Sequence, residues 1–461
     1  MTEPVKTATQ ATQLSEFSRF CSPNPLDEST WDRFVETDEA RGGHDVLRLI
    51  QQFKDRSASP DPVLAVFSGH TGSGKSTELA RVKKALENEY LVVAANIADR
   101  YSLPSIDYRQ LLFYCADRLI DVADQVKAAI GGTEEKQLLS WFDNKEITEV
   151  EKEGREIKTE GGAGIDLLKS LFLKFSGKLY SGGETKEKVS KHIEERLDGL
   201  RLNMQIIVEA INKKITPKRL LLVLEGLDKI EDRDQGRKIF FEHRRQLIDI
   251  PCSIIFTFPI ALWYDQEAGM QNFPVRYVLP MIPVSDPPNG KTGKAGRGRK
   301  ILADIVYRRI DKSPGLIAPE ALDCMIEKSG GLIRDLLYLL RESALGAQIG
   351  GRGKIEFHDA EDAVKRLRAE YANRISPSSR LAMEDVENTL ARPWPTSAPQ
   401  QTEAFKALLQ NLCILEYNGE RWFDLHPLVR EHLETQNVPG KKSKTKTRPK
   451  KAKAGARSKK R

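Results

Sequence analysis

The sequence predicts an α/β fold: a parallel sheet covered on both faces by helices, continued by an all-helical region and a small unit with a hairpin. Three observations lead to it. Five short apolar runs, DPVLAVFSG (61–69), LVVAANI (91–97), LLLVLEGLDKI (220–230), SIIFTF (253–258) and VRYVLPM (275–281), are separated by helical stretches, which is how strands buried on both faces read. The first run ends in glycine and leads into a helical pattern through Leu86, giving strand, loop, helix. From Ile301 to about Leu390 every segment has helical periodicity.

Taken along the chain, residues 1–16 are polar and expected to be disordered, and residues 17–286 form the α/β core. Phe17 to Phe53 mixes loop signals with a helix at about 44–53, and Asp107 to Val126 makes a long amphipathic helix. Residues 131–190 break the alternation, being rich in Glu, Lys and Gly around one amphipathic stretch, LLKSLFLKF (167–175). They read as an insertion, partly flexible and with at least one helix. A helix from Lys188 to Lys214 leads back to the sheet. PPNGKTGKAGRGRK (287–300) reads as a flexible basic linker and residues 300–392 as a helical lid. The last unit, 400–436, runs helix, CILEY, Asn418-Gly419, ERWFDL, then a helix from His426. Asn-Gly between alternating apolar residues is a strong hairpin signal.

Composition excludes several classes. With 39% hydrophobic and 30% charged residues, the 461-residue chain is an ordinary globular protein of two or three domains. Its five cysteines (Cys21, Cys115, Cys252, Cys324, Cys413) form no CxxC pair, which argues against a disulfide framework or a zinc site. No basic-then-apolar leader is present at the N-terminus, and the longest apolar run, Cys252 to Tyr264, is too short to span a bilayer. The expected location is the cytoplasm, with no membrane partner. The formal charge of +7 misleads, because Lys441 to Arg461 holds twelve Lys or Arg and no acid. Without those twelve charges the remainder stands at −5. Any bulk attraction to nucleic acid therefore resides in residues 440–461, a tail expected to be disordered and either nucleic-acid binding or merely solubilising.

The chemistry is concentrated between residues 69 and 77. Gly69-His70-Thr71-Gly72-Ser73-Gly74-Lys75-Ser76, followed by Thr77, satisfies GxxxxGK[ST] in full. Such a loop wraps a phosphate with backbone N–H groups, and the helix beginning near Lys75 aims its positive end at the same place. Lys75 is placed to reach β- and γ-phosphates and the Ser76 hydroxyl to complete a Mg²⁺ shell. ATP is favoured over GTP because no NKxD motif occurs: Asn144-Lys145-Glu146-Ile147 lacks the acid. The runs SGGET (181–185) and SGGLI (329–333) lack the flanking residues of a transporter signature. Glu225 ends the strand LLLVL, where a metal-supporting carboxylate belongs, and Asp228 follows three residues later.

This hhhhE-G-h-D arrangement resembles the hhhhD-G-h-D pattern of STAND NTPases and their AAA+ relatives, with Glu225 in place of the usual Asp. The resemblance covers roughly residues 60–435 and implies a RecA-like P-loop NTPase core, a helical lid and a winged-helix-like end. It implies Mg²⁺ between Ser76 and Glu225, water polarisation by Asp228, and Thr257 as the polar sensor ending the next strand. Gly330-Gly331-Leu332-Ile333-Arg334 looks like the sensor 2 element, whose arginine reaches the γ-phosphate. Arg244, Arg245 and Arg276 are candidates for an arginine finger across a homo-oligomer interface. The last unit is similar to the winged-helix domain of origin-recognition initiators and STAND regulators. Its helix TEAFKALLQNL has one lysine and its hairpin carries Glu416 and Glu420, poor chemistry for a DNA groove. Packing or regulation is expected there instead.

The function these features imply is an ATP-binding, slowly hydrolysing switch ATPase, by analogy a bacterial signalling or antiphage-defence regulator with a protein effector. Two other readings compete. One is a nucleic-acid loader using Lys441–Arg461, and the other a non-catalytic scaffold stabilised by nucleotide.

Overall fold

The computed structural model describes residues 10–143, 163–181, 183–265, 273–286, 294–375, 399–417 and 422–435. Five strands, β1 (Leu64–Gly69), β2 (Tyr90–Asn96), β3 (Arg219–Glu225), β4 (Ser253–Phe258) and β5 (Val275–Leu279), form one parallel sheet in the order β2-β3-β4-β1-β5. The sheet confirms the α/β, RecA-like expectation. β1 and β4 are buried along their whole length, as their unbroken apolar runs require. β2 is an edge strand and only half-buried.

Alternation within β3 divides the two helical layers. Leu221 and Val223 face one layer, with α1 (Asp45–Arg56) and α2 (Lys75–Leu86) contributing Leu49, Phe53, Leu79 and Val82. Leu220, Leu222 and Leu224 face the other, built on α3 (Tyr108–Gln125). The helices α4 (Gly132–Leu139), α5 (Ala163–Ser181), α6 (Gly183–Glu195) and α7 (Leu197–Ile215) extend that second layer. Most of the described part of the insertion is thus helical, and Phe113 of α3 stacks on Phe172 of α5 at 4.8 Å between ring centroids. Its Glu-rich part, 144–162, lies outside the described residues.

Beyond the sheet come α8 (Lys294–Tyr307), α9 (Pro319–Lys328), α10 (Ile333–Ile349) and α11 (Phe357–Ala372). Next is α12 (Pro399–Gln410), then the antiparallel pair β6 (Ile414–Tyr417) and β7 (Trp422–Leu425), and finally α13 (Pro427–Thr435). These helices and the terminal hairpin share one apolar core that includes Leu302, Met325, Leu336, Leu340, Leu409 and Leu428. The hairpin also reaches the main sheet, because the Met281 N–H donates to the Glu416 carbonyl at 2.9 Å.

Two expectations need correcting. Residues 10–16, assigned to a disordered N-terminus, are packed against the helical region that follows the sheet. Ala11 and Leu14 are buried, and Ala11 exchanges backbone hydrogen bonds with Arg309 and Asp311. The basic linker 287–300 is helical from Lys294 onward. Its glycines suggested a loop, but Gly298 serves close approach: a Cβ there would lie 1.9 Å from the Pro283 carbonyl oxygen. The tail 440–461 and the turn Asn418-Gly419 lie outside the described residues. No helix among the described residues is long and apolar enough to cross a membrane.

Candidate functional site

The carboxyl ends of β1, β3 and β4 open on one edge of the sheet, the usual ligand side of an open α/β sheet. Around them lies a cavity of about 440 Å³. Its walls are the 71–78 segment, the turn Glu225–Lys229, Thr257, a strap drawn from residues 23–41, and side chains of α8 and α10. Lys75, Ser76, Thr77, Glu225, Asp228, Thr257 and Arg334 all line it, so residues spread over some 260 positions converge.

Lys75 opens α2, and its Nζ donates to the carbonyls of Gly69 (2.8 Å) and His70 (3.0 Å). The same ammonium lies 2.9 Å from Asp228 Oδ2, with the two side chains only 6% and 7% exposed. Burial alone would raise the Asp228 carboxyl, but the Lys75 charge and hydrogen bond hold it below the ordinary carboxylate range. Glu225 behaves in the opposite way: burial raises its carboxyl, against the pull of a hydrogen bond with Ser76. The turn between the two acids demands glycine, since Gly226 has φ +95° and a Cβ there would meet Asn96 Oδ1 at 2.4 Å. The Thr257 hydroxyl accepts from the Asp228 N–H and donates to the Leu224 carbonyl, both at 3.4 Å, tying β4 to this turn.

Arg334 opens α10. Its N–H donates to the Gly72 carbonyl at 3.2 Å, and its side chain passes beside Gly72 into the cavity wall. His70, fully buried, accepts a hydrogen bond at Nε2 from the Glu416 N–H of β6 at 2.9 Å. Burial, reinforced by the Lys75 charge, lowers its imidazole to about 3. Both the helical region after the sheet and the terminal hairpin therefore rest directly on the glycine-rich loop at 69–77. Arg244, Arg245 and Arg276 are not among the cavity-lining residues. Arg276 sits on β5 and donates to the Phe273 carbonyl, while the other two lie on a short helix, Arg244–Ile248.

Sequence reasoning missed the strap and its anchor. Arg41 is buried. It donates from Nη2 to the Ser73 carbonyl (2.7 Å), from Nε to Thr37 Oγ1 (2.8 Å), and from Nη1 to the Pro280 carbonyl. Burial pulls its guanidinium down to about 10, opposed by Glu78 and Asp38. The Thr37 hydroxyl donates to Glu78 Oε1 of α2 (3.1 Å), and Arg81 pairs with Asp38 at 2.6 Å. Nothing in TDEAR marks an arginine that clamps a loop 32 residues away. Among the described residues no group of three or more His, Cys, Asp or Glu converges as a metal site. The pair Ser76 and Glu225 nevertheless fits Mg²⁺, which is commonly held by one or two carboxylates with substrate phosphates and water.

Neither a protein-family model nor a curated protein sequence matches this chain. Among solved structures it is similar to the Drosophila ORC bound to DNA, at 11% identity over 95% of each chain with a TM-score of 0.42. It is similar to the Aeropyrum pernix ORC2 protein in an ADPNP–ADP complex, at 12% identity over 91% of this chain and 98% of that one, TM-score 0.42. A third is the Thermotoga maritima RuvB Holliday junction branch migration motor, at 11% identity over 90% and 99%, TM-score 0.37. Likeness at this level decides nothing about activity, and the functional reading rests on the site itself.

Proposed function

We propose that the chain is a Mg²⁺-dependent, slowly hydrolysing ATPase of the AAA+/STAND type that acts as a conformational switch. The observation that carries the reading is the buried Lys75–Asp228 pair in one cavity with Ser76 and Glu225, all at the mouth of a glycine-rich loop. The loop's N–H groups and Lys75 would hold the β- and γ-phosphates, and Ser76 and Glu225 the metal, which when bound neutralises phosphate charge. Asp228 would orient the attacking water once Lys75 turns from it to the phosphate. Slow turnover follows from that shared lysine, and from Glu225 reaching one methylene further than the Asp of related patterns. Arg334 would sense the γ-phosphate from the lid.

The switch is supported by two contacts on the loop: Arg334 N–H on the Gly72 carbonyl, and Glu416 N–H on His70. A phosphate that rearranges the loop must disturb both. By analogy of architecture we assign the switch to signalling or antiphage defence, with self-assembly and a protein effector as its outputs. Steady-state ATP turnover of the full chain, with and without duplex DNA, tests this. The proposal expects slow turnover that DNA leaves unchanged. Stimulation by DNA would favour the loader reading, to which the basic residues Lys441–Arg461 lend support. No turnover at all would favour the scaffold.

A further inference from the structure

Two neighbouring carbonyls of the glycine-rich loop are held from outside it. Gly72 accepts from the Arg334 N–H at 3.2 Å, and Ser73 accepts from Arg41 Nη2 at 2.7 Å. Arg41 is only 3% exposed, and its three side-chain hydrogen bonds go to neutral oxygens in three segments: Ser73 of the loop, Thr37 of the strap and Pro280 just past β5. A buried guanidinium is costly to keep. What it supplies here, and an ammonium or an apolar side chain would not, is a rigid planar fork that bridges two carbonyls at once.

That bridge is one side of a closed ring of hydrogen bonds. The Pro280 carbonyl accepts from Arg41, and the N–H of the same peptide, that of Met281, donates to the Glu416 carbonyl at 2.9 Å. The Glu416 N–H donates to His70 Nε2 at 2.9 Å, and the His70 carbonyl accepts from the Ser73 N–H at 3.1 Å. The ring thus leaves the loop at Ser73 and returns to it at His70. At Ser73 the consequence is geometric. A peptide unit is planar and trans, so its C=O and N–H point in opposite directions. With the Ser73 carbonyl drawn to Arg41, the Gly74 N–H points away from that guanidinium. Gly74 lines the cavity, and among the described residues nothing accepts from its N–H.

We propose that Arg41 is a positioning residue for the phosphate chain, holding the Ser73–Gly74 peptide so that the Gly74 N–H is presented to the β-phosphate before nucleotide arrives. The proposal rests on the reading of residues 69–77 as the phosphate site, where such loops use backbone N–H groups. Without the fork that peptide is free to turn, and ordering it on binding weakens affinity.

The test is equilibrium titration of the full-length protein with a fluorescent ATP analogue, followed by displacement with ADP. Arg41→Lys should weaken both nucleotides alike, by about tenfold or more, the usual worth of a hydrogen bond from a charged donor. Arg41→Gln gives the same readout if Arg41→Lys fails to fold. Asp38→Asn is the control for a merely structural effect. It weakens the 2.6 Å pair with Arg81 that ties the strap to α2, and Asp38 does not line the cavity. This variant should lower the melting midpoint while binding both nucleotides within about threefold of wild type. Folded Arg41 variants that bind within threefold of wild type would overturn the proposal and leave the ATPase reading standing. So would a loss confined to ATP, or an equal loss in Asp38→Asn. An analogue that does not bind the wild type would overturn both readings.

Discussion

Replacing Asp228 with asparagine separates two partners that compete for Lys75. In the structure the ammonium sits 2.9 Å from Asp228 Oδ2 in nearly complete burial. Asparagine keeps the shape and a carbonyl acceptor but removes the charge, leaving Lys75 to the carbonyls of Gly69 and His70. Breaking a buried pair by removing one partner costs about 3–5 kcal/mol. The acceptors that remain bring this case down to about 2–3 kcal/mol. Nucleotide affinity should move the other way. A phosphate gripped by Lys75 faces the Asp228 carboxylate across the ammonium, and like charges about 5.5 Å apart at an effective dielectric of 20 repel by about 3 kcal/mol. Even half of that relief is about a tenfold gain in affinity. Asp228→Asn should therefore melt earlier than wild type without nucleotide, rise further with it, and bind a non-hydrolysable ATP analogue at least tenfold more tightly. Thermal denaturation with and without the analogue, joined to calorimetric titration, reads all three. Binding equal to or weaker than wild type would refute the competition.

Two further outcomes follow from contacts on the loop. With its folded value near 3, His70 is neutral at pH 7 and accepts from Glu416, whereas a histidine in the unfolded chain takes up a proton near 6.5. The folded value is the lower one, so its stability contribution is whole above about pH 6.5 and falls as pH drops towards 3, by about 2 kcal/mol between pH 7 and 5. His70→Asn should flatten the pH dependence of the melting midpoint over that window; a slope equal to wild type would contradict the assignment. Arg334→Ala should leave ADP affinity nearly intact and reduce ATP-driven closure, measured as nucleotide-dependent protease protection of α10, whereas equal loss of ADP and ATP binding would make the residue structural.

The sheet was legible because its strands are short, mostly apolar runs, broken by a charge only at Arg276 of β5, and the pattern at 69–77 stood out because GxxxxGK[ST] is met in full. Glu225 and Asp228 could be placed because they end such a run, and the structure brings both into the same cavity as Lys75. Arg334 stood out through a local pattern at a helix start, and the structure places it in the lining of the same cavity. What escaped was long-range. Arg41 and the strap carry no periodicity, and their meaning lies in hydrogen bonds to Ser73 and Pro280 that no local pattern encodes. The same is true of His70, an unspecified position of the motif that holds Glu416 across 346 residues. Residues 294–300 were misread for a different reason. Gly296 and Gly298 lower helix propensity, but tertiary packing on Pro283 selects glycine within a helix.

In the proposed switch, Lys75 and the loop around it bind the phosphates of ATP with Mg²⁺. Equilibrium titration of the full-length protein with a fluorescent ATP analogue, in Mg²⁺ and in excess chelator, beside Lys75→Ala, tests it most directly. Binding should be saturable, weaken on chelation and be lost in Lys75→Ala, whose folding is checked by circular dichroism. A folded Lys75→Ala protein that binds the analogue as tightly as wild type would contradict it.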